Sequence, residues 1–237
     1  MLGLAYMALG MFLFSAVDTQ GKFLTATLHP IQIVWSRQLG LLAAVVILLA
    51  VRGVSILRTE HPKLQIARGA IAALSATTFI FAVSFVPLAD AVAVSFVAPF
   101  IVTVLGALIL REHVGLRRWI AVTIGFAATL IVIRPGLGVL HPAIFLVIVA
   151  AALFALRQII SRWLAASDRT VTTVAYTSLV GSAILTLPLP FVWQWPATGL
   201  EYALLAGMAV MAGIAETMVI KSRSRRRSSS RRYSIRF

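Results

Sequence analysis

Asp18, Arg37, Gln38, Arg157 and Gln158 carry charged or amide groups inside long apolar stretches. An ionisable group within membrane hydrocarbon costs ~2.5–3.5 kcal/mol on insertion scales, so it normally faces a cavity or a partner. Arg37 stands about seven residues into its stretch, ~10 Å deep at the helical rise. Arg37 and Gln38 have the chemistry to hold an anionic group. The alternative is a structural Arg bonded to carbonyls or to Asp18. Asp18 and Lys22 lie one helical turn apart and can pair with each other; otherwise Asp18 can exchange a proton. Arg157-Gln158 offers a pseudo-symmetric counterpart later in the chain, or an Arg that snorkels to the surface. Trp35, Trp163 and Tyr176 either line a cavity or anchor stretch ends at an interface. Pro99, in mid-stretch, removes a backbone hydrogen bond and bends its helix. Glu216 is expected near an interface. Asp90 is expected at a helix N-terminus, where an acid is favoured.

Other chemistries have no residues to carry them. The sequence holds no His-Glu-x-x-His, Gly-x-Ser-x-Gly or Walker loop. His29, His61, His113 and His141 sit at the borders of apolar stretches without metal-ligand spacing. There is no cysteine, which removes disulfides, thiolate catalysis and thiolate metal sites. No catalytic residue, metal or cofactor is expected, and the chain is not expected to be an enzyme.

The elements that position these residues follow from composition. Of 237 residues, 60% are hydrophobic and 12% charged, against about 45–50% and 25% in soluble domains. The apolar surplus exceeds one globular core and must face lipid. Crossing ~30 Å of hydrocarbon takes roughly 20 apolar residues. Eight stretches qualify: Leu4–Leu24, Pro30–Val51, Ile66–Pro87, Leu88–Leu110, Trp119–Ile133, Pro142–Leu164, Val171–Val192 and Tyr202–Ile220. The fifth is short, with Arg118 and Arg134 able to snorkel from its ends. Lipid offers backbone groups no partner, so the spans must be helices; runs such as Leu41–Val51 lack the alternation of a barrel strand. His29-Pro30, Arg58-Thr59-Glu60-His61-Pro62, Arg134-Pro135-Gly136 and Trp195-Pro196 separate them. The first stretch lacks a basic leader and carries Asp18 and Lys22, so it is read as a retained helix.

Basic residues in short loops orient the chain. Arg52, Arg58, Lys63, Arg68, Arg111, Arg117, Arg118, Arg162 and Arg169 fall on one side, Lys22 and Arg134 on the other. The N-terminus is therefore expected in the cytoplasm, in the plasma (inner) membrane of a multi-pass protein. Leu13-Phe14 to Lys22-Phe23-Leu24-Thr25-Ala26 returns, at a constant offset of 140, as Leu153-Phe154 to Arg162-Trp163-Leu164-Ala165-Ala166. The two copies would run in opposite directions, as in the inverted repeats of many secondary transporters. Gly69, Ala73 and Thr77, and likewise Ala209 and Gly213, form small-residue stripes suited to helix packing.

These residues resemble the drug/metabolite transporter superfamily, specifically its EamA-type family. The likeness rests on Arg37-Gln38-Leu39 in the second span, Pro87-Leu88-Ala89-Asp90-Ala91-Val92-Ala93 and Val97-Ala98-Pro99-Phe100 in the fourth, and Leu110-Arg111-Glu112-His113 at its end. Gly125-Phe126-Ala127-Ala128-Thr129-Leu130 and Arg134-Pro135-Gly136 complete it. The resemblance covers about residues 3–220. It implies ten helices with both termini cytoplasmic and transport of a metabolite or drug without ATP hydrolysis.

The expected fold is all-α, a polytopic helical bundle with eight of ten spans. Residues 3–134 form a first five-helix repeat and 142–220 the first three helices of a second. The last segment, Lys221 to Phe237, holds eight of the 21 Lys and Arg, and without it the formal charge falls from +14 to +6. It is expected to be disordered and to arise from a shifted reading frame, since Val and Ala codons read one base out become Ser and Arg codons. Without spans nine and ten, Ala209 and Gly213 would meet lipid or a second chain.

The expected function is a secondary transporter moving a small molecule by alternating access. The alternatives are an integral membrane enzyme, a non-transporting scaffold, or an inactive truncated transporter. Expected partners are a small-molecule substrate and the lipid bilayer; a homodimer is left open. The Arg/Ser tail suggests RNA or anionic lipid, but no nucleic acid is expected.

Overall fold

The computed structural model describes residues 2–111, 113–133, 141–165 and 167–234. Glu112, the Arg134-Pro135-Gly136 break and Ala166 lie outside them. All regular structure among the described residues is helical: α1 (Leu2–Leu24), α2 (Pro30–Arg52), a 3-10 turn (Val54–Leu57), α3 (Pro62–Phe85), α4 (Leu88–Ser95), α5 (Ala98–Ile109), α6 (Leu116–Ile133), α7 (Ile144–Leu164), α8 (Thr170–Thr186), α9 (Leu189–Val192) and α10 (Gly199–Ser234). Each of the eight apolar stretches carries helix.

Local chemistry sets the boundaries. Pro30 and Pro62 open α2 and α3, where a missing N–H leaves no bond unmade. The His29 ring accepts from the Ile31 N–H at 3.3 Å. Gly53, at φ 72°, closes α2 with its N–H on the Leu49 carbonyl, a conformation that favours glycine.

Two stretches differ from expectation. Pro99 does more than bend the fourth. The helix breaks between Ser95 and Ala98, where the Phe96 and Val97 N–H groups fold back on Ala93 and Val94 in tight turns. Without an N–H, Pro99 cannot donate to Ser95 and carry the ladder across. The seventh stretch splits into α8 and α9, because Pro188 and Pro190 interrupt it in the same way. Helix α10 continues to Ser234, where a disordered segment was expected beyond Ile220. The sequence contains neither Gly nor Pro after Gly213, and Arg and Lys are good helix formers.

The third and last long helices pack far from their neighbours in sequence. Helix α1 runs against α10, and α3 against α7. Helix α2 lies on α10, α3 lies on α8, and α2 and α8 touch. Val17, Leu24, Ile33, Ile80 and Met208 form the core where α1, α2, α3 and α10 meet. The approach is close enough to require glycine. A Cβ on Gly40 would stand 1.7 Å from the Ala209 carbonyl oxygen, and one on Gly213 would stand 3.2 Å from the Gly40 carbonyl. A Cβ on Gly69 would stand 2.9 Å from the Val180 Cβ. Both small-residue stripes are therefore packing faces, as small residues in membrane bundles usually are. The expectation that Ala209 and Gly213 meet lipid or a second chain is overturned: they meet α2.

The circumference is apolar. Phe12, Leu187 and Phe191 are 70%, 76% and 89% exposed, far from what a water-soluble surface tolerates in bulk. Among the described residues, five helical segments are long and apolar enough to cross a membrane: Pro30–Arg52, Pro62–Phe85, Leu88–Ile109 (α4 and α5 together), Ile144–Leu164 and Gly199–Glu216.

Candidate functional site

The packing of α1, α2 and α10 opposite α3, α7 and α8 leaves a cavity of about 470 Å³ between them, within the usual range for small-molecule sites. Its rim at one end includes the exposed Ala165 and Thr170. At the other end it stops at Val34 and Leu185, which are almost wholly buried.

Among the described residues, six ionisable side chains line it: Asp18, Asp168 and Glu216 against Arg37, Arg68 and Arg157. The acidic and basic side chains are equal in number. Arg37 on α2 donates to Asp18 on α1 at 3.2 Å, and the two side chains are 27% and 30% exposed. The Arg37 guanidinium also lies 5.6 Å from the centroid of the Phe14 ring, a cation–π distance. On the opposite wall the Arg157 guanidinium lies 4.7 Å from the Phe154 ring. Gln38 donates from Nε2 to the Thr177 carbonyl at 3.1 Å, joining α2 to α8. Because the Asp18–Arg37 pair is only part-buried, an incoming charged group can compete for either partner. Removing one partner outright leaves the other charge stranded.

Nearer the rim, Arg68 donates from Nε to Ser161 Oγ at 2.6 Å and from a terminal nitrogen to Thr177 Oγ1. Asp168 Oδ2 accepts from Thr59 Oγ1 at 2.6 Å and from Gln65 Nε2 at 2.5 Å. These bonds fasten α3 to α7, α8 and the loop between them.

The structure thus brings together Asp18, Arg37, Gln38, Arg157 and Gln158 in one cavity. It does not bring Trp35 or Tyr176 there. Trp35 Nε1 donates to Thr186 Oγ1 at 2.9 Å beyond the closed end, and the Tyr176 hydroxyl donates to the Leu57 carbonyl at 3.3 Å. Trp163 is 61% exposed and also stands outside. Asp18 and Lys22 do not pair. They point to different neighbours, and Lys22 Nζ donates to the Val83 and Val86 carbonyls at 2.6 and 3.0 Å, at the end of α3. Arg68, expected in a loop, and Glu216, expected near an interface, both line the cavity, and Asp168 joins them there. The signal for Arg68 was present: a helix opening at Pro62 places it nearly two turns inside.

A helical membrane protein with a polar cavity between packed helices is the class that fold and site define. The family model described as "EamA-like transporter family" matches residues 1–134, and the chain belongs to that family. It is a multi-pass membrane protein of the drug/metabolite transporter superfamily. It is similar to the S-adenosylmethionine uptake transporter of Rickettsia felis, 26% identical over 86% of this chain and 69% of that protein. It is also similar to the riboflavin transporter of Vibrio cholerae, 30% identical over 70% of this chain and 56% of that protein. The pseudopaline exporter CntI of Pseudomonas aeruginosa is 25% identical over 93% of this chain and 78% of its own length. A protein of known crystal structure has the same fold, with a TM-score of 0.65 at 20% identity over 93% of this chain and 77% of that one.

Proposed function

We propose that this chain is a secondary transporter, not an enzyme, that binds a small metabolite or drug in the cavity and exposes it to the two sides of the plasma membrane in turn. The observation that carries this is the cavity itself, with charged groups of both signs drawn from both halves of the sequence. Asp18 and Arg37 come from the first half, Arg157 and Gln158 from the second.

All eight helical stretches cross the membrane in this reading, with the N-terminus in the cytoplasm, and the two halves are inverted copies. The packing supports the repeat. Adding 140 to Gly40 and subtracting 140 from Ala209 gives Val180 and Gly69, and both pairs are sites of unusually close approach. The same offset turns the packing of α1 on α10 into that of α7 on α3. Two related units clasped this way can rock about a site near the midplane. The cavity in its present form then opens to the cytoplasm, because Thr170 begins the helix that follows a basic loop. Arg37 and Asp18 hold charged groups of the substrate, and Gln38, Arg157 and Gln158 contact its remaining polar atoms.

The named activities of its relatives supply the probes. Labelled S-adenosylmethionine and riboflavin are tested for saturable binding to the purified chain and for uptake into liposomes carrying it. Arg37→Ala is expected to abolish binding of the accepted probe while the protein still reaches the membrane in normal amount. Unchanged binding by Arg37→Ala would remove the cavity as the substrate site; loss of the protein from the membrane would make Arg37 structural.

A further inference from the structure

Beyond Val34 and Leu185, the closed end of the cavity is sealed by a small set of neutral contacts. Gln32 is wholly buried. Its amide makes both of its bonds to the main chain of one residue: Nε2 donates to the Gln194 carbonyl at 2.8 Å, and Oε1 accepts from the Gln194 N–H at 2.9 Å. One turn along α2, Trp35 donates to Thr186 Oγ1 at 2.9 Å and meets the Trp193 ring edge-on at 6.1 Å. Trp193 in turn meets Trp195 at 5.6 Å. The Gln32–Gln194 and Trp35–Trp193 contacts join α2 to the segment between α8 and α10, and the Trp35–Thr186 bond joins α2 to the last residue of α8. That segment is held from its far side by Glu201, which accepts from Thr27 Oγ1 at 2.8 Å and from the Ala197 N–H at 2.7 Å.

We infer that Gln32 and Trp35 are the gate at this end: an amide clamp and an indole plug that part to let the cavity reach the other side. The inference rests on the transport reading above. The chemistry suits a gate that opens and closes. A buried amide cannot be left without partners, but water entering a parted gate supplies one donor and one acceptor for each bond broken. The closed form is held dry and the open form wet, with no ion pair to separate. The opposite rim is built differently, around the charged Asp168 and Arg68. The clamp uses only main-chain atoms of Gln194, so the identity of that side chain is irrelevant to it.

The absence of cysteine from the chain allows a direct test. Val34→Cys places a thiol at the sealed end of the cavity, and Ala26→Cys, in the exposed loop between α1 and α2, marks which membrane face that end adjoins. Labelling rates are measured with a membrane-impermeant maleimide in right-side-out and inside-out vesicles. Adding Gln32→Ala to Val34→Cys is expected to raise labelling from the Ala26 face about ten-fold, the effect of ~1.4 kcal/mol. Thr186→Val, which removes the acceptor of the Trp35 indole and, within α8, the hydroxyl's bond to the Ser182 carbonyl, is expected to raise it as well. Gln194→Ala is expected to leave it unchanged. The gate is overturned if both Gln32→Ala and Thr186→Val leave the rate unchanged, or if Gln194→Ala matches Gln32→Ala. A Val34→Cys thiol that reacts from neither face in any variant refutes the water-filled cavity, and the gate with it. Loss of probe binding in Arg37→Ala bears on the substrate site alone.

Discussion

Gly40 is the most exacting position in the bundle, and adding a single methyl group there tests the packing directly. A Cβ would stand 1.7 Å from the Ala209 carbonyl oxygen, 2.5 Å from its carbon and 3.2 Å from its Cα. These are main-chain atoms of a helix and have no rotamer to escape into. Restoring ordinary contact at about 3.4 Å requires α2 and α10 to separate by about 1.7 Å, which forfeits dispersion along the whole seam. Overpacking of this kind costs typically ~1–3 kcal/mol, and rigid backbone on both sides puts Gly40→Ala at ~3 kcal/mol. For chains of this size that corresponds to a fall in Tm of roughly 6–12 °C. Gly69→Ala is the internal comparison. Its Cβ would stand 2.9 Å from the Val180 Cβ and 3.2 Å from the Tyr176 carbonyl oxygen; neither atom moves with a rotamer, but the overlap is about 0.5 Å where Gly40 has about 1.7 Å, so about 1 kcal/mol and roughly 2–4 °C are expected. Thermal unfolding in detergent, followed by circular dichroism, measures both. The double variant Gly40→Ala/Ala209→Gly should be no better than Gly40→Ala, because the obstruction is the carbonyl and not the Ala209 methyl. A Gly40→Ala protein that melts with the parent, or a rescue by Ala209→Gly, would refute the close approach of α2 and α10.

Lys22→Met leaves the Val83 and Val86 carbonyls without their charged donor and should lower stability by ~1.5–3 kcal/mol in the same assay; Lys22→Arg should recover part of it. Asp168→Ala strips the acceptor from Thr59 and from the wholly buried Gln65 at ~1–3 kcal/mol, and Asp168→Asn, which keeps an oxygen, should cost less. Reporter fusions after Glu60, Glu112 and Asp168 should report cytoplasm and those after Pro87 and Pro196 the outside; two or more reversed signals would overturn the orientation.

The helices were legible because their signals are local. His29-Pro30 and His61-Pro62 mark starts, Gly53 marks a stop, and apolar length does the rest. Pro99 was legible as a disturbance, though a break replaced the expected bend. The cavity was legible in part. Asp18 and Arg37 stood out because charge inside an apolar stretch is conspicuous. Arg68, Asp168 and Glu216 did not, because a charge near a stretch end looks like a solvated one until its partners are known. Those partners, Ser161 and Thr177 for Arg68, come from helices about a hundred residues away. Trp35 and Tyr176 stayed ambiguous for the related reason that an aromatic near a helix end carries no record of which neighbour it faces. The approach of Gly40 to Ala209 has the same character: either stripe announces a packing face, and neither names its mate.

The placement of α3 against α7 and α8 also dictates an order of events during synthesis. Arg68 leaves the ribosome 93 residues ahead of Ser161 and 109 ahead of Thr177. At ~5–20 residues per second the delay is roughly 5–20 s. Through that interval the glycine face of α3 has no helix to seat on, and its guanidinium lacks the two hydroxyls that later hold it. The early helices have only their contacts with one another, Lys22 to the end of α3 and Arg37 to Asp18, and their final assembly awaits the second half of the chain. A nascent protein halted in the loop before α7 would present the membrane with an unfilled groove and an Arg68 short of two hydroxyls.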